Sequence, residues 1–561
     1  MAPVTGRGWL RGASVALALA VLAGAVASQG PPAPPPRTPR LVLFISVDQM
    51  WAEYLDRFAP LYTGGLRRLR EQGAVFTNAF YRHANSETGP GHAVLLSGRH
   101  ARDNGVVAND WYDRLTGTMV NVVDDPVQRP LPGPGRAASP QSFLGITVGD
   151  LLKRASPASR VVGVAGKDRA AVLMAGRAGD AAYWYDSAFG GFATSTYYRH
   201  ELPPWVTAWN AAKHADALAG RTWTRLLPDE APYVQYAGPD DVKGEWDNVD
   251  TVFPHRIRGT PPSREFYDDL RRTPFHDELV LEVALAAMEA HDLGRDDATD
   301  LLAVGFSATD AIGHTYGADS QESMDQLLRL DRVIGRLLDA AEARAGRGGL
   351  LVGLSADHSS MPLVEVLKAR GLDARRASPA VLRDAVSKAL AAKFPQAGEL
   401  VALYDPPNVY LDLERIAQQH LHRSEVEKVV EQALLATGLV DRVYTAERLL
   451  GDPPADDPDF ALFRNSFYEP RSPHVIARLK RYVYLDDRPG GTGHGTVQDY
   501  DRHVPVVLMG AGITPGRYQA SCGPEDIAPT LAGILGLPYR VETGQRVLAE
   551  AVHPAPAGGD K

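Results

Sequence analysis

The sequence holds one cysteine, Cys522, in 561 residues. A single thiol excludes any intramolecular disulfide, so stability must come from the core and from any bound metal. Nothing in sequence near Cys522 marks it as an activated nucleophile, and it reads as an inert structural residue. An excess of positive charge is missing as well. Lys and Arg number 59 against 68 Asp and Glu, and the net charge of -9 disfavours nonspecific attraction to nucleic acid. Past the first thirty residues no apolar run is long enough to span a bilayer, and no cysteine follows the leading apolar stretch to accept a lipid. No internal repeat is present. The 44% hydrophobic content supplies a substantial core and excludes a disordered chain.

What is there begins with a leader. Arg7 and Arg11 precede an apolar stretch from Ala13 to Ala27 that ends in the small-x-small pattern Ala25-Val26-Ala27. Residues 1–27 therefore read as a signal peptide, the stretch being shorter than the roughly 20 residues of a spanning helix. Residues 28–40, SQGPPAPPPRTPR, form a Pro-rich leader that excludes a helix or a central strand. The expected product is secreted across the inner membrane, periplasmic or extracellular, with no stable membrane anchor.

From Leu41 onward short continuous apolar runs appear at Leu41–Val47, Val161–Ala165, Leu301–Phe306, Leu350–Leu354 and Val504–Met509. Their length and lack of alternation predict strands buried on both faces of a parallel sheet. Helical patterns lie between them, as at Gly65–Gly73 and Phe275–Ala290, so the fold class is α/β, a mostly parallel central sheet flanked by helices on both faces. Residues 41–362 and 485–550 are expected to form the main domain. An aromatic, Pro-rich insertion is expected over about 183–273, an inserted subdomain over 363–484 and a flexible tail over 551–561.

The chemistry stands where the strands end. Asp48 follows the first run, Lys167 and Arg169 the second, Asp310 and His314 the third, Asp357 and His358 the fourth. In open α/β sheets ligands bind beyond the carboxyl ends of the strands. Asp310 and His314, in SATDAIGH, have the D-x-x-x-H spacing that puts both side chains on one face of a helical turn. His494 sits among glycines in GGTGHGT. Three Asp and three His make a mixed N/O donor set that suits zinc better than calcium or magnesium. Two trios make two sites, as in-line displacement at phosphorus requires. In NSETGPGHAVLLSG, Thr88 precedes an apolar run that reads as a helix with Pro90 in its first turn. A hydroxyl there faces the positive end of the helix dipole and its backbone N–H groups, unless Thr88 merely caps the helix.

FISVDQM, the Thr88 segment, VVANDWYD, AGKDRAAVL, SATDAIGH, LSADH, GTGHGT and EDIAPTLAGILGL follow one another in an order that resembles the alkaline phosphatase superfamily. The likeness is greatest to its branch of periplasmic phosphomonoesterases with a threonine nucleophile, which shares the type I phosphodiesterase/nucleotide pyrophosphatase-like fold. The resemblance spans about residues 41–548. It implies two zinc ions per chain: one held by Asp48, Asp357 and His358 and touching Thr88, the other held by Asp310, His314 and His494 on the leaving-group side. It also implies that Asn109, Lys167 and Arg169 bind the phosphoryl group, and that small-molecule phosphate monoesters are hydrolysed through a phosphothreonine on Thr88. One departure is Ser359-Ser360-Met361-Pro362, where relatives commonly have Gly after the Asp-His pair, so the shape of that loop is open.

A sulfatase needs Cys or Ser in a C/S-x-P-x-R segment, which Thr88-Gly89-Pro90-Gly91-His92 does not supply. A phosphodiesterase or nucleotide pyrophosphatase shares the donors, the threonine and the asparagine, and stays the main alternative. A non-catalytic binding protein would not need the full set of donors. The sequence calls for no nucleic-acid partner and no obligate protein partner.

Overall fold

A computed structural model describes residues 38–553 apart from Pro134, residues 247–250 and Arg347. The signal-peptide segment, most of the Pro-rich leader and the end of the tail lie outside the described residues.

Ten strands form the central sheet: β1 Leu41–Val47, β2 Ala74–Phe76, β3 Pro130–Leu131, β4 Val161–Ala165, β5 Ala181–Asp186, β6 Gly191–Ser195, β7 Asp300–Phe306, β8 Leu350–Ser355, β9 Val506–Gly510 and β10 Gly516–Tyr518. Their order across the sheet is β10-β2-β9-β8-β1-β7-β4-β5-β6-β3. The five neighbours β8, β1, β7, β4 and β5 are parallel. The edges are mixed, with β9 antiparallel to both β8 and β2 and β6 antiparallel to β5. The apolar run that ends at Met509 is thus not the parallel strand expected of it. Burial on both faces gives the same continuous apolar sequence in either direction, so composition does not distinguish them.

Register decides what the sheet presents. Leu41 lies opposite Asp300 and Leu350, and Val47 opposite Phe306, so these strands end nearly level. The helices that matter for the site are α1 Thr88–Leu95, α2 Asp168–Ala175, α3 Ala308–Tyr316 and α4 Gln321–Ala345. Every residue of β1, β7 and β8 is buried, which anchors their C-terminal ends in the main core.

Residues 375–485 contain a second sheet, Val401–Asp405, Asn408–Leu411, Val475–Leu479 and Val440–Thr445 in that spatial order. It packs with the helices Ala380–Lys393 and Arg423–Ala436 around a separate apolar cluster that includes Leu382, Val386, Leu411, Val426 and Val443. Arg375–Ala377 pairs in parallel with Val483–Leu485, which brings the two ends of the segment together. The expected insertion over about 183–273 needs correction at its start. Residues 181–195 are β5 and β6 of the central sheet with their connecting turn, and their buried Tyr183, Trp184, Tyr185 and Phe192 give the segment its irregular aromatic look.

Candidate active site

Four adjacent parallel strands deliver the site. Asp48 leaves β1, and its N–H donates to the Phe306 carbonyl at the end of β7 at 2.9 Å. Asp310 and His314 stand one turn apart on α3, with His314 Nε2 3.3 Å from Asp310 Oδ1. Asp357 and His358 follow β8, and Lys167 follows β4. Asp48, Asp357 and His358 are fully buried. His494 arrives from a late loop, its Nε2 3.7 Å from Asp310 Oδ1 and its ring stacked on His358 with centroids 3.5 Å apart.

The three imidazoles are oriented alike. Nδ1–H of His314 donates to the Thr492 carbonyl at 2.7 Å, that of His358 to Ser359 at 3.0 Å, and that of His494 to Ser86 at 2.7 Å. A carbonyl only accepts, so each ring keeps its proton on Nδ1 and offers the Nε2 lone pair to the centre. This is how metal-binding histidines are commonly held. Asp48 Oδ1 and Asp357 Oδ2 are buried without a hydrogen bond, and Asp48 Oδ2 has only the ion pair with Lys167 at 3.0 Å, so the pocket holds donor atoms suited to a cation.

Electrostatics follow from this crowding. Burial disfavours the Lys167 ammonium, but Asp310 and Asp48 outweigh it and hold the lysine above its ordinary value; Nζ lies 2.7 Å from Asp310 Oδ2 and 3.0 Å from Asp48 Oδ2. Burial likewise opposes the Asp310 carboxylate, yet Lys167 and His314 hold it well below the usual range. Burial, with His358 and His314 beside it, keeps His494 well below its ordinary value, leaving the neutral imidazole a metal needs.

Thr88 is the first residue of α1, and Glu87 stands at the cap position, so Thr88 is not the cap. Its Oγ1 lies 3.4 Å from His358 Nε2. The N–H groups expected to face an anion here are partly committed. Gly89 donates to Asn109 Oδ1 at 2.7 Å, Gly91 to the Glu87 carbonyl at 2.9 Å, and Pro90 has no N–H. Asn109 is thereby fixed beside Thr88 with its amide nitrogen left as a donor, and Glu87 Oε2 accepts the Asn109 N–H at 2.7 Å. A Cβ on Gly91 would lie 2.1 Å from the Asp357 carbonyl, so only glycine lets α1 approach the end of β8. Arg169 makes only a loose 3.8 Å contact with Asp168, and its buried Nε has no partner.

The Ser359–Pro362 loop is pinned to the segment before His494: Met361 N–H donates to Gly493 O at 3.0 Å and Thr492 Oγ1 to Met361 O at 2.7 Å. Through the main chain of Met361 the loop thus joins the segment after His358 to the one before His494. A cavity of about 240 Å³ opens beside His494 and Glu87 and reaches Asp405 and Tyr484 of the inserted segment.

A family model for type I phosphodiesterase/nucleotide pyrophosphatase matches residues 42–503. The chain belongs to this family. Alkaline phosphatase PafA of Elizabethkingia meningoseptica is 30% identical over 552 residues, covering 96% of this chain and 97% of that protein. Alkaline phosphatase PhoK of Sphingomonas sp. is 32% identical over 518 residues, covering 89% of each. The crystal structure of wild type PafA aligns with a TM-score of 0.85 at 30% identity, over 92% of this chain and 99% of that one. The resemblance read from the motifs thus extends over nearly the whole chain.

Within this type I phosphodiesterase-family chain the fold adds residues that sequence reasoning missed. His92 is fully buried, its Nδ1 donating to the Thr88 carbonyl at 2.9 Å and its Nε2 3.0 Å from Ser46 Oγ. Gln49 donates from its backbone to Asp357 Oδ1 at 3.1 Å and from its side chain to Asp310 Oδ1 at 2.9 Å, bridging the two halves of the site. The tightest donor groups, within 4.8 Å, are Asp310, His358 and His494, and Asp48, His92 and Asp357. These cut across the division read from the resemblance. The four-residue spacing of His92 from Thr88 on one helix is the only sequence signal for it.

Proposed function

We propose that the chain is a phosphate-monoester hydrolase with two zinc ions, one held by Asp48, Asp357 and His358 beside Thr88, the other by Asp310, His314 and His494. The observation that carries this is the shared orientation of the three imidazoles, each giving Nδ1–H to a backbone carbonyl and aiming Nε2 inward. His92 differs, because its Nε2 is held at 3.0 Å by the Ser46 hydroxyl, whereas the hydrogen bond at His358 Nε2 is the longer 3.4 Å one to Thr88 Oγ1. It is a positioning residue rather than a ligand. Bound zinc ions supply Lewis acidity and positive charge to an in-line displacement at phosphorus.

The chain's own groups do the rest. Thr88 Oγ1 forms the bond to phosphorus as the ester P–O bond breaks, which gives phosphothreonine and the free alcohol. Water then displaces Thr88 from phosphorus and inorganic phosphate leaves. The Asn109 amide, the Lys167 ammonium and the Arg169 guanidinium donate to the non-reacting oxygens, as a point charge and a planar fork. The cavity beside His494 gives the departing alcohol room. Export to the periplasm or beyond, guided by residues 1–27, belongs to the same reading, and no helix among the described residues is long and apolar enough to cross a membrane.

A phosphodiesterase remains the second reading because the family model carries that activity in its description. Charge decides between them. A monoester dianion presents three unesterified oxygens, and a diester monoanion presents two, so paired cations favour the first. Initial rates on a monoester and a diester with the same leaving group should favour the monoester by orders of magnitude. Lys167→Ala with Arg169→Ala should erode monoester turnover far more than diester turnover. A wild type that prefers the diester, or a double variant that loses both activities equally, replaces this reading with the phosphodiesterase.

A further inference from the structure

Asp501 stands in the run DYDR, which reads as a solvated surface turn, yet its side chain is fully buried. It belongs to the short helix Asp499–Arg502 just before β9. That strand runs antiparallel to β8 with Val506 opposite Ser355, and Ser355 Oγ donates to the Pro505 carbonyl at 2.8 Å. The chain that carries Asp501 is therefore anchored beside the end of β8, the strand that delivers Asp357 and His358. The Asp501 carbonyl accepts the Ser359 N–H at 2.8 Å.

The carboxylate faces the other way, toward the loop of His494. Oδ2 of Asp501 accepts both the N–H of Thr496 at 2.8 Å and its hydroxyl at 2.6 Å. The Thr496 carbonyl accepts the Ser86 hydroxyl at 3.1 Å, and the Ser86 carbonyl is the one that orients His494. The Ser359 carbonyl orients His358 in the same manner. One continuous path of hydrogen bonds thus runs from the His358 ring through Ser359, Asp501, Thr496 and Ser86 to the His494 ring.

His494 needs such support. It lies in no helix or strand, and Gly495 next to it has a φ of +105°, a conformation that glycine tolerates and that leaves the loop little stiffness of its own. Met361 pins the segment before His494, whereas the segment after it is held by Asp501 at Thr496 and by Arg502 Nε at the Val497 carbonyl, 2.6 Å away. A ring on a soft loop stays in place only as well as its anchors do.

We propose that Asp501 is a positioning residue of the metal centre. Its carboxylate clamps the loop after His494 and its carbonyl ties that loop to Ser359, which sets His494 Nε2 toward Asp310 for the leaving-group zinc. The proposal rests on the reading of His494 as a ligand of that ion. Its hydrogen bonds reach Thr496 and Ser359 rather than the rings, so Asp501 acts through the main chain that carries them. Oδ1 is buried without a hydrogen bond, so asparagine can keep the accepting oxygen on Thr496 and lose no partner at the other.

The test withdraws zinc from the loaded full chain with graded amounts of a chromophoric chelator and reads the affinity of each ion. The wild type should release about two ions per chain. In Asp501→Ala the ion that His494→Ala also loosens should be held on the order of tenfold more weakly or worse, the usual effect of removing a group that supports a metal ligand, while the other stays within about threefold. Asp501→Asn should recover to within about threefold of the wild type, because it still accepts from Thr496. Asp501→Ala with both affinities unchanged, or both lowered equally, makes Asp501 a stabiliser of the fold alone and overturns the proposal. An asparagine variant as weak as the alanine one overturns it too. A wild type that holds no zinc removes this proposal together with the two-zinc reading beneath it. Should Asp501→Ala fail to fold, Thr496→Val takes its place, since it deletes the hydroxyl donor and keeps the N–H. It should weaken the same ion by about threefold or more, and wild-type affinity in that variant overturns the proposal.

Discussion

Thr88 and His92 sit one turn apart on α1, tied through the Thr88 carbonyl, yet they have different roles. In the proposed mechanism Thr88→Ala removes the group that forms the bond to phosphorus and leaves in place the carboxylates and imidazoles proposed to hold metal. Its zinc content and thermal midpoint should stay near wild type while turnover falls on the order of a thousandfold or more, and Thr88→Ser should retain part of the activity. His92→Ala removes a fully buried ring and leaves the Ser46 hydroxyl and the Thr88 carbonyl without their partner, a cost of about 1–3 kcal/mol. That variant should melt earlier yet keep two zinc ions per chain by elemental analysis. Loss of one zinc would make His92 a ligand and redraw both trios. The residues differ equally in how readable they are. Asp48, Lys167, Asp310 and Asp357 announce themselves by following apolar runs, and the helix at Thr88 is plain in the sequence. Gln49 and Glu87 are not readable there, and His92 only through its four-residue spacing from Thr88, because most of their partners are brought near by the fold alone.

At the scale of elements, strands buried on both faces are legible because a continuous apolar run of five to seven residues, bounded by polar ones, suits a strand far better than a surface helix or a loop. Strand direction at β9 is not legible, and neither is the membership of β5 and β6 in the central sheet, where aromatic side chains replace the usual aliphatic run. Inside the inserted segment one buried residue that composition does not mark joins the strand Asn408–Leu411 to the start of Val475–Leu479. His474 is 1% exposed, and Leu411 N–H donates to its Nδ1 at 2.8 Å. Burial, with Arg114 and Arg423 nearby, pushes the imidazole down to about 3. As pH falls from the ordinary histidine value near 6.5 toward 3, the unfolded chain takes a proton that the folded chain refuses. Stability is therefore complete above that window and is lost through it, by at most about 1.4 kcal/mol per pH unit from this group. His474→Gln keeps an acceptor for Leu411 and removes the titration. The drop in thermal midpoint between pH 6.5 and 4 should be shallower in the variant than in the wild type, and parallel curves would assign the acid sensitivity elsewhere.

The whole molecule converges on one balance of charge. Four parallel strands from separate parts of the chain, together with the late segment carrying His494, put three carboxylates and three imidazoles in one place, and the ammonium of Lys167 is the cation that Asp48 and Asp310 hold between them. Such a centre repels itself unless positive charge is added, so metal affinity is also folding free energy for the ends of β1, β7 and β8. The fully loaded protein should contain about two zinc ions per chain. Stripping them with a strong chelator should abolish turnover and lower the thermal midpoint by several degrees, and zinc added back should restore both together. His494 enters from a loop rather than from the sheet, so His494→Ala should release the leaving-group zinc first and leave the one beside Thr88 largely bound. Equal loss of both ions would show that the stacked rings of His358 and His494 serve a single site, as their 3.5 Å spacing allows. A chelated protein with unchanged midpoint and unchanged turnover would remove metal from the mechanism altogether.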